Sequence, residues 1–396
     1  MTMAEKLRPT VSLSEIYGPG HLFIQRAYSS YADWLPDDPS VLDSLAGGGL
    51  PIVGAMPAIC SRGSVTPRTL ELFDLAGLPI TPDRILFDAG TDTECVANVV
   101  AHRSETIVLQ HAFPTGVIPD QRLWMDVDRL SYLNNKANLA ALVRPENLPD
   151  RKVVDSEPYF EGGPSLPIVL KVVTQQSTGA GKGVAVCHND QDLAAAETLF
   201  GGCEQVVAED FLDIADNPCL NFAAMSDGSV RYLGFAEQIV TPEGKHRGNW
   251  IDLDATIRED VIDAAAEPVR RGAKLGYTGI VGIDVAIIRD GRVLVLDLNF
   301  RINASTPALL FGDAIRERDG ATVIHFRRMQ GEGGAVRLAD DLTPFVADGR
   351  IVPVSLFDSP AAGYSEKPSS ALVLVAGHSR REVLATEDDI AALGIS

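Results

Sequence analysis

A chain of 396 residues, 45% hydrophobic and 22% charged with 35 glycines and 24 prolines, is too long for one ordinary core and too apolar to stay unfolded, so two or three packed units are expected. Its 34 basic against 54 acidic side chains leave a formal charge of -20, which repels phosphodiester backbones and anionic bilayers; neither nucleic acid nor membrane is an expected partner, and a nucleotide would need a local cluster of cations. Cys60, Cys95, Cys187, Cys203 and Cys219 form no C-x-x-C pair, no apolar run nears the roughly 18 residues of a membrane span, and Glu5, Lys6 and Arg8 stand where a leader would be apolar, so a cytoplasmic chain with reduced thiols is expected.

From Met1 to about Trp124, short apolar runs ("LPIVGAMPAI", "RILFD", "ETIVLQHAF") alternate with helical stretches, which predicts a small parallel sheet in a first unit, 1–125. A second unit, 126–207, opens with the helix "DRLSYLNNKANLAALV". It continues through the strand "LPIVLKVV", the glycine loop "TQQSTGAGKG", the strand "VAVCHN" and the helix "DQDLAAAETLF", with Asn189 or Asp190 as its N-cap. A third unit, 208–396, reads as hairpins turning at Asp227-Gly228 and Asp290-Gly291. Between those hairpins come a polar loop, "TPEGKHRGNW", and a long helix. Two more strands ("RIVPVSLF", "ALVLVAGH") and a last helix, "REVLATEDDIAAL", close the chain.

The stretch "GIDVAIIRDGRVLVLDLNFRIN" carries the most chemistry. A two-residue turn at Asp290-Gly291 would pair residues whose numbers sum to 581, setting Asp284 opposite Asp297. Facing carboxylates repel unless a cation lies between them. Period two then puts Asn299 and Arg301 on the face of Asp297, and sends Leu294, Leu296, Leu298 and Phe300 into a core. Oxygen ligands from Asp284, Asp297 and Asn299 suit magnesium, with Arg301 placed to hold an anion beside it.

The loop Ser177–Gly183 lies between two predicted strands and so is a hairpin tip. A P-loop would need glycine at Gln176 and Ser or Thr at Gly183, and a dinucleotide fingerprint would need glycine at Val184 and a following helix; both fail. What remains is a flap whose backbone N–H groups can close over phosphates. Lys171, inside the apolar strand "IVLKVV", needs an anion or a route to water, and Lys136 is a third candidate cation.

In this order the pieces resemble the ATP-grasp superfamily over about 126–310, most specifically in Asp297-Leu298-Asn299-Phe300-Arg301 with Asp284 thirteen residues before. The resemblance implies an α/β (α+β) ATP-grasp fold: an N-terminal parallel-sheet domain, a small lid domain and a larger antiparallel-sheet domain. It implies ATP and Mg2+ as cofactors. Lys136 and Lys171 would touch the phosphates, Lys171 also nearing the adenine. Ser177, Gly179, Gly181 and Gly183 with Lys182 would form the flap, and Glu209, Asp210, Phe211 and Leu212 a hinge that reads the adenine edge through its backbone. Asp216 would hold the ribose, Asp284, Asp297 and Asn299 the magnesium, and Arg301 the transferring phosphoryl group. The tail resembles that of natural-product ligases such as the peptide ligases of the pheganomycin type.

The implied reaction is attack of a carboxylate on the γ-phosphate to give an acyl phosphate, which a small-molecule amine or peptide acceptor then displaces. Within the polar loop, Lys245, His246 and Arg247 are candidates to lid the acceptor pocket, with Arg247 a cation for the donor carboxylate and His246 a base. Three alternatives stand beside this reading. The acceptor could be a carrier-protein thiol, received on basic segments such as "HSRREV", "IRERD" and "HFRRM"; the protein could bind ATP without turnover; or it could stop at the acyl phosphate. The identity of the acid and of the acceptor, and a homodimeric state, are open at this level.

Overall fold

The computed structural model describes residues 6–179, 181–241 and 246–396, without the side chain of His246. Three sheets organise it. The first, in the order β3-β2-β1-β4, is all parallel: β1 (His21–Ile24), β2 (Ala58–Ser61), β3 (Arg84–Phe87) and β4 (Thr106–Leu109). Strand β1 lies outside the expected strands, because four residues carry no readable period; the run "LPIVGAMPAI" opens with a short 3-10 turn, Leu50–Ile52, and leads into β2 at Ala58. Thr66 and Pro67 start the helix Pro67–Leu75 as cap and first residue.

The second sheet runs β5-β8-β6-β7, antiparallel throughout: β5 (Arg151–Asp155), β6 (Ile168–Val172), β7 (Val184–Cys187) and β8 (Gln205–Asp210). It has its own core, in which Leu170, Phe200 and Val206 pack, so it is attached as a separate lobe. The helix Asp190–Phe200 on it is capped by Asn189, whose side chain accepts from the N–H groups of Gln191 and Asp192. The single helix expected over 128–143 is broken: it ends at Asn134, a 3-10 turn Lys136–Asn138 follows, and Leu139–Leu142 resumes it.

The third sheet has nine strands. Its path is β14-β13-β10-β11-β12-β15-β17-β16, with β9 (Ile214–Asp216) alongside β13. The strands are β10 (Pro218–Ala224), β11 (Val230–Val240), β12 (His246–Asp252), β13 (Gly279–Ile288), β14 (Val293–Asn299), β15 (Val323–Gln330), β16 (Ile351–Phe357) and β17 (Ser370–Gly377). The second half of the polar loop expected before Trp250 is therefore strand: from His246 on, β12 pairs with β11 and β15 and puts Arg247 on an exposed strand position. Two cores tie the first and third sheets together. Leu22, Ile24, Val281 and Phe300 share one, and Phe23, Ala58, Leu342 and Val354 share the other.

Candidate active site

The β13–β14 hairpin sets Asp284 directly opposite Asp297, as expected, but by a different route. The Ile288 N–H bonds the Arg292 carbonyl, so the loop has three residues, 289–291, with Gly291 at φ +92. That longer loop pairs Ile287 with Val293 and Val285 with Val295, one residue off the predicted register. A bulge after Val295 then inserts Leu296 and restores the Asp284–Asp297 pair.

The bulge also reverses which leucines face the core. Leu298 and Phe300 pack with Val293 and Val295 as a core face, whereas Leu294 and Leu296 join Ala286, Ile288, Leu212 and Ile214 in a small apolar cluster. The expectation that all four leucine and phenylalanine positions share one face is corrected accordingly. Leu294 and Leu296 instead make an apolar floor beside the hinge.

The acids are held apart by distinct partners. Lys136 Nζ lies 2.6 Å from Asp297 Oδ2, and the Leu298 N–H donates to Oδ1 at 3.1 Å. Asp284 accepts from Gln238 Nε2 at 3.1 Å and from Asn299 Nδ2 at 3.2 Å. Burial by itself would raise the Asp297 carboxyl, but the charges of Lys136, Lys171 and Arg301 outweigh it and hold the group below its ordinary value. Burial weakens the hold of Arg301 on its proton, partly offset by Asp297 and Asp284. Asn134 Oδ1 positions that segment, accepting from the Phe300 N–H at 3.0 Å and from Arg301 Nη1 at 3.5 Å.

Lys171 bridges the small sheet to the large one. Its Nζ donates to Glu209 at 2.5 Å and to the carbonyl of the bulged Leu296 at 2.8 Å. Glu209 thus acts through its side chain. Its backbone sits between Arg151 and Val169 in the middle of the sheet, which removes it from any edge-reading role; Asp210 likewise spends its N–H on the Asp150 carbonyl. Phe211 and Leu212 lie beyond the last paired residue, Phe211 exposed with its ring edge-on to His188. Asp216 is exposed on β9 opposite Ile287.

Arg151, which no sequence signal singles out, completes the cation cluster: it donates to the Lys136 carbonyl and stands 3.5 Å from Glu209 Oε1. "RKVV" reads as an ordinary solvated edge, and only pairing with Glu209 makes it otherwise. Asn134 and Gln238 carry no sequence signal for the same reason: their partners, Phe300, Arg301 and Asp284, are distant in the chain.

The flap is a hairpin tip, Lys171 pairing with Val184 across it. It lies on residues 33–37 of the N-terminal unit. The Gly179 N–H donates to the Trp34 carbonyl, Gln176 and Asp33 bond each other, and Lys182 Nζ holds Asp37 at 2.6 Å. Gly181 and Gly183 both have positive φ, and a Cβ on Gly183 would fall 2.5 Å from Val172. Ser177 is half-buried in the same hairpin. The structure therefore joins Lys136, Lys171, Asp284, Asp297, Asn299 and Arg301 in one constellation and leaves Lys182, Arg247 and Asp216 outside it; Lys245 and the His246 side chain lie outside the described residues. Cys219, opposite Asp284, has its thiol pushed well up by burial and by that carboxylate, which suits no nucleophilic role.

Two family models match the chain: "L-aspartate--L-methionine ligase N-terminal domain" over residues 12–131 and "L-aspartate--L-methionine ligase, ATP grasp" over residues 149–299. The tail lies beyond both, so its likeness to pheganomycin-type ligases gains nothing from them. Among solved structures, an N5-carboxyaminoimidazole ribonucleotide synthetase in complex with ADP is 15% identical, with 99% of this chain and 98% of that one covered at a TM-score of 0.56. The corresponding enzyme of Thermus thermophilus is 13% identical (94% and 98% covered, TM-score 0.58), and an L-amino acid ligase from Bacillus licheniformis is 13% identical (94% and 97%, 0.53). At these identities the structures establish a shared fold. Carrying both domains of one ligase family over more than half of its length, the chain belongs to the ATP-grasp superfamily and is an ATP-dependent carboxylate–amine ligase.

Proposed function

We propose that this enzyme joins two amino acids, activating a carboxylate of aspartate as an acyl phosphate and passing it to the amine of methionine, the pair for which its family is described. The observation that carries the reading is the facing pair Asp284–Asp297 beside Lys136, from the 3-10 turn Lys136–Asn138, and Lys171, from the second sheet.

The residues present fit magnesium. Two carboxylates face each other, and Asn299, which spends its Nδ2 on Asp284, has its Oδ1 free of hydrogen bonds among the described residues. Such hard oxygen donors, too few to enclose an ion, suit a cation that also takes phosphate oxygens. Bound there, magnesium would neutralise charge on the phosphates during transfer. Lys136 and Lys171 then turn part of their charge toward the phosphates, Arg151 holds the Lys136 backbone and balances Glu209, and Arg301 steadies the transferring phosphoryl group. The floor of Leu212, Leu294 and Leu296 receives the adenine, whose edge is read by the backbone of Phe211 and Leu212; Asp216 holds the ribose. Ser177, Gly179, Gly181 and Gly183 cover the phosphates, with Lys182 exchanging Asp37 for them, and Arg247 approaches the donor carboxylate. This division of labour keeps three units, but the boundary expected at 207/208 falls inside β8, whose residues pair with β5 and β6 throughout, so the units are taken as 1–125, 126–210 and 211–396. No described helix is long and apolar enough to cross a membrane, and a cytoplasmic site of action is part of the proposal.

An amine acceptor is favoured over a carrier-protein thiol. Of the six arginines in the segments that might receive an acidic carrier, four, Arg316, Arg318, Arg327 and Arg380, are paired with acids of this chain, which leaves Arg328 and Arg381 as too small a basic patch. The test supplies ATP, magnesium, aspartate and methionine and follows ADP release and the dipeptide by mass spectrometry. ADP formed in step with dipeptide, and only with both amino acids, is expected; equal ADP release without methionine would defeat the reading.

A further inference from the structure

Strand order in the first sheet places its topological switch between β1 and β4, where neighbouring strands lead their connections in opposite directions; in open parallel sheets this is the end at which ligands are received. Ile24 pairs with Leu109, so Gln25-Arg26 and Gln110-His111 emerge side by side. Gln110 Nε2 donates to the Ile302 carbonyl at 2.7 Å, which ties this end of the sheet to the residue after Arg301. Two polar atoms there, Gln25 Oε1 and His111 Nδ1, are buried without a partner among the described residues. Opposite that end stands β15. Arg328 faces Leu372 across β15–β17, and Leu372 Cδ1 lies 3.5 Å from where a Cβ on Gly48 would stand, with Gln25 Nε2 3.7 Å from the same point.

Arg328 differs from every other arginine of its neighbourhood. Arg26 is paired with Asp43, Arg327 with Glu387 and Arg350 with Asp348, whereas Arg328 has no ion pair or hydrogen bond among the described residues and is half-buried. Burial loosens its proton, and its nearest counter-charge, Asp38, is already held by Lys367. A half-buried guanidinium with no anion is costly unless a ligand supplies one. Its place fits such a ligand. Through the pairs Arg328–Leu372, Phe326–Asn249 and Gln238–Asn249, it shares a sheet face with Gln238, whose amide holds Asp284. The strands of Gln238 and Arg328 are two apart and the residues two positions out of register, roughly 12 Å between backbones, a gap that the two extended side chains together with an amino acid between them span.

We propose that Arg328, on the face of β15 toward the ends of β1 and β4, binds the α-carboxylate of the acceptor amino acid and so presents its amine toward the acyl phosphate. The donor's reacting carboxylate belongs at the Asp284–Asp297–Arg301 end. The far carboxylate, two bonds from the attacking nitrogen, meets the planar fork that matches it. This inference rests on the amino-acid ligase reading above.

The experiment compares wild type with Arg328→Gln and Arg328→Lys. Acceptor KM and kcat are measured in the ADP-release assay, and L-methionine and L-methioninamide are titrated calorimetrically into the MgADP-loaded protein. Loss of one charge-assisted carboxylate pair predicts that Arg328→Gln raises the methionine KM and Kd about 10- to 100-fold. The aspartate KM, kcat and ATP affinity stay unchanged, and Arg328→Lys recovers part of the loss. Methioninamide should bind wild type as weakly as methionine binds the glutamine variant. A melting temperature that does not fall in Arg328→Gln separates this role from a structural one. Equal methionine affinity in wild type and Arg328→Gln, or no preference of wild type for methionine over its amide, overturns the inference. Lack of turnover with aspartate and methionine, beside an affinity for methionine that needs Arg328, instead overturns the substrate pair assigned above.

Discussion

Replacing Lys136 by methionine keeps the volume of a buried stem and removes the cation that, among the described residues, is in contact with Asp297, at 2.6 Å. Lys171 cannot take over, because its ammonium is committed to Glu209 and the Leu296 carbonyl. The side chains of Lys136 and Asp297 are only 6% and 26% exposed, so water screens the loss poorly. Breaking a buried pair and leaving one charge behind costs about 3–5 kcal/mol, and the residual exposure of Asp297 favours the lower end. At ~2–4 °C per kcal/mol for a unit of this size, the variant should melt about 6–12 °C lower in a magnesium-free scan. Magnesium then takes the place of the missing ammonium between Asp284 and Asp297. The stabilisation by millimolar magnesium should accordingly be several degrees larger in Lys136→Met than in wild type. A variant that melts with wild type, or that gains no more from magnesium than wild type does, would refute the claim that these facing acids need a cation and accept a divalent one.

His111 has its pKa lowered to about 3 by burial and by the charges of Arg301 and Arg26. A group depressed on folding stabilises fully above its ordinary value and loses that contribution as pH falls from there toward its folded value. Wild type should therefore lose roughly 2 kcal/mol between pH 8 and pH 5 that His111→Gln does not lose, read as urea midpoints; parallel pH profiles would contradict this. Gly282→Ala places a Cβ 1.9 Å from Asn303 Nδ2, which bonds Asn221 in the buried amide–hydroxyl network beneath Asp284. A loss of about 1–3 kcal/mol is expected in denaturation, together with weaker magnesium-dependent ATP binding, and an unchanged variant would show that the network yields freely. Asp37→Ala frees Lys182, but both partners are solvated, so melting should not change. Proteolytic cutting within the flap should rise by less than about 5-fold, the worth of one exposed pair; a larger rise would mean that this contact alone latches the flap.

The sequence by itself determined which residues could do the chemistry. Acids at Asp284 and Asp297, separated by a turn with Gly291, must lie on the two strands of one hairpin, and the period-two spacing of Asn299 follows from the strand alone. Local signals of this kind survive folding because caps, turns and alternation are settled within a few residues, as Asn189 at the head of its helix shows. The tertiary structure decided the rest. It replaced a two-residue turn by three residues and compensated with a bulge, turning Leu294 and Leu296 toward the hinge and offering the Leu296 carbonyl to Lys171. It drew Arg151 onto Glu209 across two strands and Gln238 onto Asp284 across the sheet, pairings between residues 58 and 46 positions apart that no local pattern encodes. It also left Arg328 without an ion pair among the described residues, a fact about every neighbour at once. The physical reason is common to all three. A charge is assigned its role by what stands beside it after burial, and that is known only when distant segments have packed.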